Sequence, residues 1–224
     1  PPSVGQKPQP PPLEAEGEDH LIATESRRPP LLQNISELEA LIHCTRCSRA
    51  QSCGGGVSQD RAKRSYVVPG IGTSQASIFF IDLNPGPKEE QVSLPLVEPA
   101  VADLFQKILA SLSLSRAQVY HTYLTKCGTR PPRREEIQAC LPHLEKELER
   151  VQPRVVVTLG FAVSQALFEP TDHSSLQRGQ WTRWRDYRVM PTFHPAEVFR
   201  GSEVTRAELW RDIKRIRNYL ESEG

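Results

Sequence analysis

The chain has 224 residues and a formal net charge of +1, from 28 Lys and Arg residues against 27 Asp and Glu residues. This length fits one α/β domain plus a tail and is enough to bury a sizeable hydrophobic core. The balanced charge excludes the broad basic surface that holds DNA non-specifically, so any nucleic-acid contact must come from local patches.

No apolar run approaches the roughly 20 residues that a helix needs to cross a bilayer, and the first residues lack the charged-then-apolar pattern of a secretion signal. We therefore expect a cytoplasmic protein with no membrane partner. Because the chain starts at Pro1 and its only methionine is Met190, we expect that its natural start lies upstream or has been removed.

Residues 1–30 are rich in Pro, Glu and small polar residues and contain few residues that form cores. Burial cannot offset the entropy of ordering such a segment, so we predict a flexible, Pro-rich tail followed by one domain over residues 31–224. The tail is either a plain linker or a docking segment for a protein partner.

Helical and strand-like patterns alternate along the rest of the chain. Strands that alternate with helices form βαβ units, which predicts an α/β fold with a parallel sheet covered by helices on both faces. In chain order the patterns predict a helix at 34–44, a strand at 77–82, a helix at 99–112, a strand at 118–125, a helix at 134–151, a strand at 154–160, a helix at 161–168, a strand at 187–194 and a helix at 205–222.

Two of the predicted strands end in residues that suit a binding site. The apolar run at 77–82 stops before Asn84, Pro85 and Gly86, which favour turns and can present backbone groups to a ligand. His194 closes the last predicted strand. Ligands of parallel sheets bind beyond the carboxyl ends of the strands, so we predict the functional site at this edge.

Four cysteines have spacings that suit a shared metal site. Cys44 and Cys47 form a C-x-x-C pair, and Cys127 and Cys140 follow much later in the chain. Four thiolates suit either a structural zinc ion or an iron–sulfur cluster, and spacing alone does not choose between them. Free buried thiols are the alternative, while a disulfide is disfavoured in a reducing compartment. Cys53, which three glycines follow, is interpreted as a loop thiol outside the site.

The order of these motifs resembles the family 4 uracil-DNA glycosylases, from about residue 35 to residue 219. The resemblance implies a three-layer α/β/α fold with a central, mainly parallel four-stranded sheet, and a [4Fe-4S] cluster on Cys44, Cys47, Cys127 and Cys140, with zinc as the less favoured occupant. The motifs that carry it are the C-x-x-C pair, "PGIG" at 69–72, the Pro-Gly turn, "TKC" at 125–127, "EEIQAC" at 135–140, "VVVTLG" at 155–160 and "MPTFHPAEVFR" at 190–200.

The chemistry that the resemblance implies is cleavage of the bond between a base and deoxyribose. Negative charge moves onto the base while the sugar becomes oxocarbenium-like, so the reaction needs a donor on the base and a held water under the sugar. Similar enzymes use the His of a His-Pro motif as the donor, which here is His194 before Pro195. Val198, Phe199 and Arg200 then resemble the segment that wedges into the duplex where the nucleotide has left.

The turn after the first strand departs from the family pattern Gly-Glu-Ala-Pro-Gly. This chain reads Asp82, Leu83, Asn84, Pro85 and Gly86, so the Glu that the family ties to catalysis is replaced by Leu83. Asn84 stands where thymine-DNA and single-strand-selective glycosylases carry the Asn that positions water, and it is our candidate for that role. Asp82 is a reserve carboxylate, interpreted mainly as a cap or turn residue.

Two further departures concern the base pocket. Counting without gaps from Pro85, Leu96 falls where the family has a Phe that stacks on uracil, and Tyr123 falls where it has the Asn that reads uracil's polar edge. A phenol cannot reproduce the paired donor and acceptor of an amide. These departures, with Asp82, Leu83, Pro85 and Gly86 as further pocket residues, indicate a base other than uracil or a loss of catalysis.

Taken with the resemblance, the sequence predicts a monofunctional and monomeric DNA repair glycosylase of a bacterial or archaeal cytosol. It would flip a damaged or mismatched base, uracil or a related deaminated base, and hydrolyse the N-glycosidic bond to leave an abasic site. The alternatives are a non-catalytic iron–sulfur protein that binds or senses DNA damage, and a cluster protein that recruits another protein through its tail.

Overall fold

The structure is a computed structural model, and it describes residues 35–52, 67–168 and 176–222. The predicted tail and Cys53 lie outside these residues, so the predictions for them are not addressed by the fold. No helix among the described residues is long and apolar enough to span a membrane.

The described residues form eight α-helices around six β-strands. The long helices and all four predicted strands occur where the sequence patterns place them, to within a few residues. The helices are α1 (Ile35–Ile42), α2 (Ser48–Ser52), α3 (Pro87–Val92), α4 (Pro99–Ser111), α5 (Arg134–Val151), α6 (Phe161–Leu167), α7 (Pro195–Arg200) and α8 (Glu203–Ser222), and the strands are β1 (Ile71–Gly72), β2 (Ile78–Asp82), β3 (Tyr120–Tyr123), β4 (Val155–Leu159), β5 (Thr182–Trp184) and β6 (Tyr187–Thr192).

The strands form one sheet in the order β1-β3-β2-β4-β6-β5. The inner four strands are parallel, which confirms the α/β fold and its central parallel sheet. The predicted number of strands was too low, because β1 and β5 add an antiparallel strand at each edge.

Both faces of the sheet are covered, as the unbroken apolar sequences of β2 and β4 require. One face packs on α4, α7 and α8 through residues such as Phe80, Phe105 and Ile213. The other face packs on α5 and α6 through residues such as Phe79 and Leu144. We call these the α4/α8 face and the α5/α6 face.

Strand register brings the carboxyl ends of the inner strands to one edge of the sheet. Asp82 at the end of β2 is paired with Tyr123 at the end of β3, and Leu159 of β4 is paired with Thr192 of β6. The segments after β2 and β6, which contain Asn84 and His194, therefore leave the sheet at the same edge.

Candidate active site

The turn after β2 is fixed by hydrogen bonds to the segment after β3. The backbone N–H of Leu124 donates to the carbonyl of Asp82 at 2.7 Å, and the N–H of Thr125 donates to the carbonyl of Leu83 at 3.0 Å. The pairing of β2 with β3 thus continues past the sheet and carries the chain to Asn84. We call residues 83–86 the catalytic turn, after the role that the sequence predicts for Asn84.

The side chain of Asn84 has a defined orientation. Its Nδ2 group donates to the carbonyl of Pro85 at 3.0 Å and to the carbonyl of Gly128 at 3.1 Å. Two carbonyl acceptors require the nitrogen, and not the oxygen, on that side of the amide. The Oδ1 atom is left on the opposite side, where it can accept a hydrogen bond from a water.

His194 is joined to the end of β2 by a direct contact. Its Nε2 lies 2.8 Å from Oδ2 of Asp82, and its Nδ1 accepts a hydrogen bond from the N–H of Ala196 at 3.0 Å. Since Nδ1 accepts, the proton of the neutral ring is on Nε2, which donates to the carboxylate. His194 is also the N-cap of α7, so the helix start fixes its ring.

The charge around His194 raises its pKa above the usual 6.5. Burial of the ring acts in the opposite direction and is the largest single influence, but the attraction of Asp82, its hydrogen bond and the charges of Glu197 and Glu89 together outweigh it. The sequence placed Asp82 among turn residues, and one of its oxygens does accept the N–H of Leu83 at 2.7 Å. Its contact with His194 is an additional role that the sequence did not predict.

A second carboxylate at this edge was also missed. A Cβ atom added to Gly86 would lie 2.5 Å from Oε2 of Glu89, so this carboxylate lies directly against the catalytic turn. The negative charge of Glu89 contributes to the raised pKa values of both His194 and Tyr123. The sequence signal that could have identified Glu89 is its position in the first turn of α3, directly after Pro85 and Gly86.

Tyr123 and Leu96 lie together beside this group. Both side chains are buried, and the Tyr123 hydroxyl makes a hydrogen bond with the backbone of Leu96. Burial, and then the charges of Asp82 and Glu89, raise the pKa of Tyr123 above its usual 10, so the phenol is neutral. Leu96 has a φ of 52°, a left-handed conformation that is unusual for a branched side chain and marks local strain.

The four predicted cysteine ligands line one pocket of about 380 Å³, including its open mouth, together with Lys126. The Sγ of Cys47 accepts the N–H of Ala50 at 3.4 Å. Burial raises the pKa of the Cys140 thiol to about 11, although the charge of Lys126 lowers it in part. The four cysteines are Cys44, Cys47, Cys127 and Cys140.

Sequence comparisons cover both strand ends. The family model of the uracil DNA glycosylase superfamily matches residues 69–214, which include Asn84 and His194. The chain is 34% identical over 170 residues to the type-4 uracil-DNA glycosylase of Saccharolobus solfataricus, with 71% of this chain and 78% of that protein covered. It is 32% identical to the type-4 uracil-DNA glycosylase of Sulfurisphaera tokodaii (80% and 81% covered) and 33% identical to that of Archaeoglobus fulgidus (70% and 82% covered).

The chain belongs to the uracil DNA glycosylase superfamily. The similar type-4 proteins confirm the resemblance that the sequence motifs indicated.

In this superfamily member the predicted wedge segment after His194 is a short helix, α7, and its side chains divide between core and solvent. Val198 is only 4% exposed and packs in the core of the α4/α8 face, and Pro195 is buried. Phe199 is 52% exposed, and Arg200 is exposed as well. Of these apolar side chains, Phe199 is the one that the structure presents to solvent, whereas Val198 is buried.

Leu83, which the sequence places among the base-pocket residues, contacts the other side of the sheet. Successive side chains of an extended segment point to opposite faces, and Asp82 faces the α4/α8 side with Tyr123. Leu83 packs against the core of the α5/α6 face instead. Leu83, at the position where the family has Glu, therefore points away from His194, whereas the charge of Glu89 acts on His194.

Proposed function

We propose that this chain is a monofunctional DNA glycosylase that removes a damaged or mismatched base and leaves an abasic site. The contact between His194 and Asp82 carries the proposal, because it joins the ends of two parallel strands at the edge where Asn84 presents its free oxygen. The names of the similar proteins, type-4 uracil-DNA glycosylases, support the same activity.

In the proposed reaction Asn84 holds the water and His194 supports the leaving base. The electron pair of the N-glycosidic bond moves onto the base. The Nε2–H of His194, which donates to Asp82 before the base is bound, switches to the carbonyl oxygen that gains this charge. The oxygen of water, held by Oδ1 of Asn84, bonds to C1′, and its proton leaves to solvent or to a nearby carboxylate. Asp82 orients the Nε2–H before the base binds, the Ala196 N–H continues to hold Nδ1, and Glu89 adds negative charge near the cationic sugar.

The base pocket supports a specificity different from that of a strict uracil enzyme. The Tyr123 hydroxyl is already bonded to the Leu96 backbone, so it offers no paired donor and acceptor to a base. Leu96 can pack on a base but provides no aromatic face. We propose that the substrate is uracil or another deaminated or mismatched base, recognised mainly by fit and by His194.

We further propose that the four cysteines hold a [4Fe-4S] cluster. Zinc would require four sulfurs about 2.3 Å from one atom, whereas a cluster fills the space between separated ligands. The four cysteines line one shared pocket, which supports a common group bound by all four, and the cluster would tie the segment between α1 and α2 to α5.

The function is tested by excision of labelled oligonucleotides that contain uracil, hypoxanthine, xanthine or a mismatched thymine. We expect the wild-type protein to cleave at least one lesion, and we expect Asn84→Ala to be at least about 100-fold slower on it, because a misplaced water has this effect on a barrier. DNA binding without excision of any lesion would favour the non-catalytic alternative. Proteins with matched absorbance near ~400 nm should be compared, so that cluster content does not differ.

Phe199→Ala should weaken excision from double-stranded DNA more than from single strands. Base flipping unstacks the target base from its neighbours, which costs about a few kcal/mol per step, and an inserted aromatic ring offsets part of this cost. The cost is smaller in single strands, so the ring contributes less there. We expect the single-turnover rate on duplex to fall roughly 10-fold and the rate on single strands to change less than about threefold. Val198→Ala is the buried control: it should lower the melting temperature but leave the duplex-to-single-strand ratio unchanged. An unchanged ratio in Phe199→Ala would reject the wedge.

Asp82→Asn should move the pH dependence of excision to lower pH. The neutral form of His194 donates, so the rate rises with pH through the pKa of His194, which the Asp82 charge holds above 6.5. Removing that charge leaves burial as the dominant influence and lowers the pKa. We expect the midpoint of the acid limb to fall, and the maximal rate to fall as well, since one amide oxygen cannot accept from both His194 and Leu83. An acid limb that stays in place would show that another group titrates.

A further inference from the structure

One glycine joins the cysteine pocket to the catalytic turn. Gly128 follows Cys127, and its φ of +83° is a backbone conformation that favours glycine. Its carbonyl accepts from Nδ2 of Asn84 at 3.1 Å and from Nη1 of Arg49 at 2.5 Å, and its N–H donates to Oε1 of Glu90. Three separate segments therefore meet at the backbone of a single residue.

Arg49 holds this loop from the side of the cysteine pocket. Its guanidinium donates to the carbonyls of Cys127 at 2.8 Å, Gly128 at 2.5 Å and Arg130 at 2.7 Å. Its Nε lies 3.4 Å from Oε2 of Glu136, and both side chains are 3% exposed. A planar guanidinium spreads five donors over three nitrogens in a fixed fork and so reaches separated carbonyls, whereas the three donors of a lysine ammonium lie on one atom.

Glu90 holds the loop from the side of the catalytic turn. It is a buried residue of α3, only four residues after Gly86, and its own N–H donates to the Gly86 carbonyl at 3.0 Å. The loop that contains Gly128 is thus bonded to the helix that begins where the catalytic turn ends. A Cβ atom on Gly128 would lie 2.5 Å from Nη1 of Arg49, so the contact leaves no room for a side chain.

We propose that Glu90 and Arg49 are positioning residues, which act through the backbone of Gly128 to fix the Asn84 amide for water binding. The inference rests on the proposed glycosylase function. If the Gly128 carbonyl moves, the Asn84 amide loses one of its two acceptors and can rotate about its side-chain bonds. The oxygen that holds the water then no longer has one position relative to C1′.

The first variants separate the hydrogen bond from the charge of Glu90. Glu90→Met removes the acceptor of the Gly128 N–H but keeps a side chain of similar length. We expect the single-turnover rate on the preferred lesion to fall between about 10-fold and 100-fold, and DNA affinity to change less than about threefold. Glu90→Gln keeps a side-chain oxygen for the Gly128 N–H, so it should restore most of the rate. Arg49→Lys should behave like Glu90→Met, because one ammonium nitrogen cannot occupy the positions of both Nη1 and Nη2.

A double-mutant cycle shows whether these residues act through Asn84. In the Asn84→Ala background there is no amide to position, so Glu90→Met should lower the rate by less than about twofold further. In the His194→Ala background the full effect of Glu90→Met should remain, because His194 is held by different contacts. Equal effects of Glu90→Met in both backgrounds would overturn the proposal and indicate a general loss of stability.

Crystal structures of the Glu90→Met and Glu90→Gln variants give a readout that does not depend on activity. We expect the Asn84 amide to leave the Gly128 carbonyl in the first variant and to keep it in the second, with cluster absorbance equal in both. An Asn84 amide that stays in place in Glu90→Met would overturn the positioning role, even if excision slowed. Absence of excision by the wild-type protein would instead overturn the proposed function, and the amide position would still decide whether Glu90 holds Asn84.

Discussion

His194→Ala is expected to lower the single-turnover rate of excision by about 100-fold to 1000-fold, the range found when one donor to a developing negative charge is removed. Since Nδ1 accepts from the Ala196 N–H, the Nε2–H that now contacts the Asp82 carboxylate is the one proton that the neutral ring can donate to the base. Binding of the lesion DNA should change far less than the rate, since the charge on the base develops only during cleavage.

The control must separate catalysis from folding, because His194 is also the N-cap of α7. His194→Asn retains a good capping side chain but moves the donor away from the position of Nε2. We expect this variant to keep the wild-type melting temperature and still to be at least about 100-fold slower. Full excision by His194→Asn would contradict the proposed donor role.

Loss of a single cluster ligand is expected to have the largest effect on stability. In Cys140→Ala we expect the absorbance near ~400 nm to be lost, because Cys140 lines the pocket with the other three cysteines. A tightly held group can contribute about 4 kcal/mol to the free energy of unfolding. For a domain of this size, that loss lowers the melting temperature by roughly 8–16 °C.

Cys53→Ser is the matched control for the cluster, since Cys53 is the one cysteine of the sequence that was predicted to lie outside the site. It should keep both the absorbance and the melting temperature. A colourless wild-type protein that contains zinc, or a Cys140→Ala protein with full absorbance, would contradict the cluster proposal. Iron and sulfide analysis of the purified proteins completes the test.

The inner sheet could be predicted because its strands are short apolar runs that end at turn residues. β2 and β4 are buried along their whole length, and their sequences show it directly. The edge strands could not be predicted in this way. β1 consists of Ile71 and Gly72 only, too short for any periodic pattern, and β5 is partly exposed, so neither carries the apolar sequence of a central strand.

The site shows a similar division between sequence signals and tertiary contacts. Asn84 and His194 could be found because each follows a predicted strand and stands within a motif. The contact of Asp82 with His194 depends on the distance between two strand ends, which no local pattern contains. The burial of Val198 beside the exposed Phe199 could not be predicted by interpreting the segment as extended, because the segment is helical and adjacent residues of a helix face different directions. The roles proposed for Arg49 and Glu90 depend on Gly128, a residue remote from both in sequence.

The two carbonyl groups that hold the Asn84 amide also determine when its ordering is completed. Both hydrogen bonds, to Pro85 and to Gly128, are made within the protein itself. The entropy of fixing this side chain is therefore lost during folding and is not lost again in each catalytic cycle. Preorganisation of this kind means that a flipped nucleotide would meet a water-binding oxygen already in position, so the intrinsic rate of bond cleavage should depend on how the sugar docks and not on any closing movement of the catalytic turn.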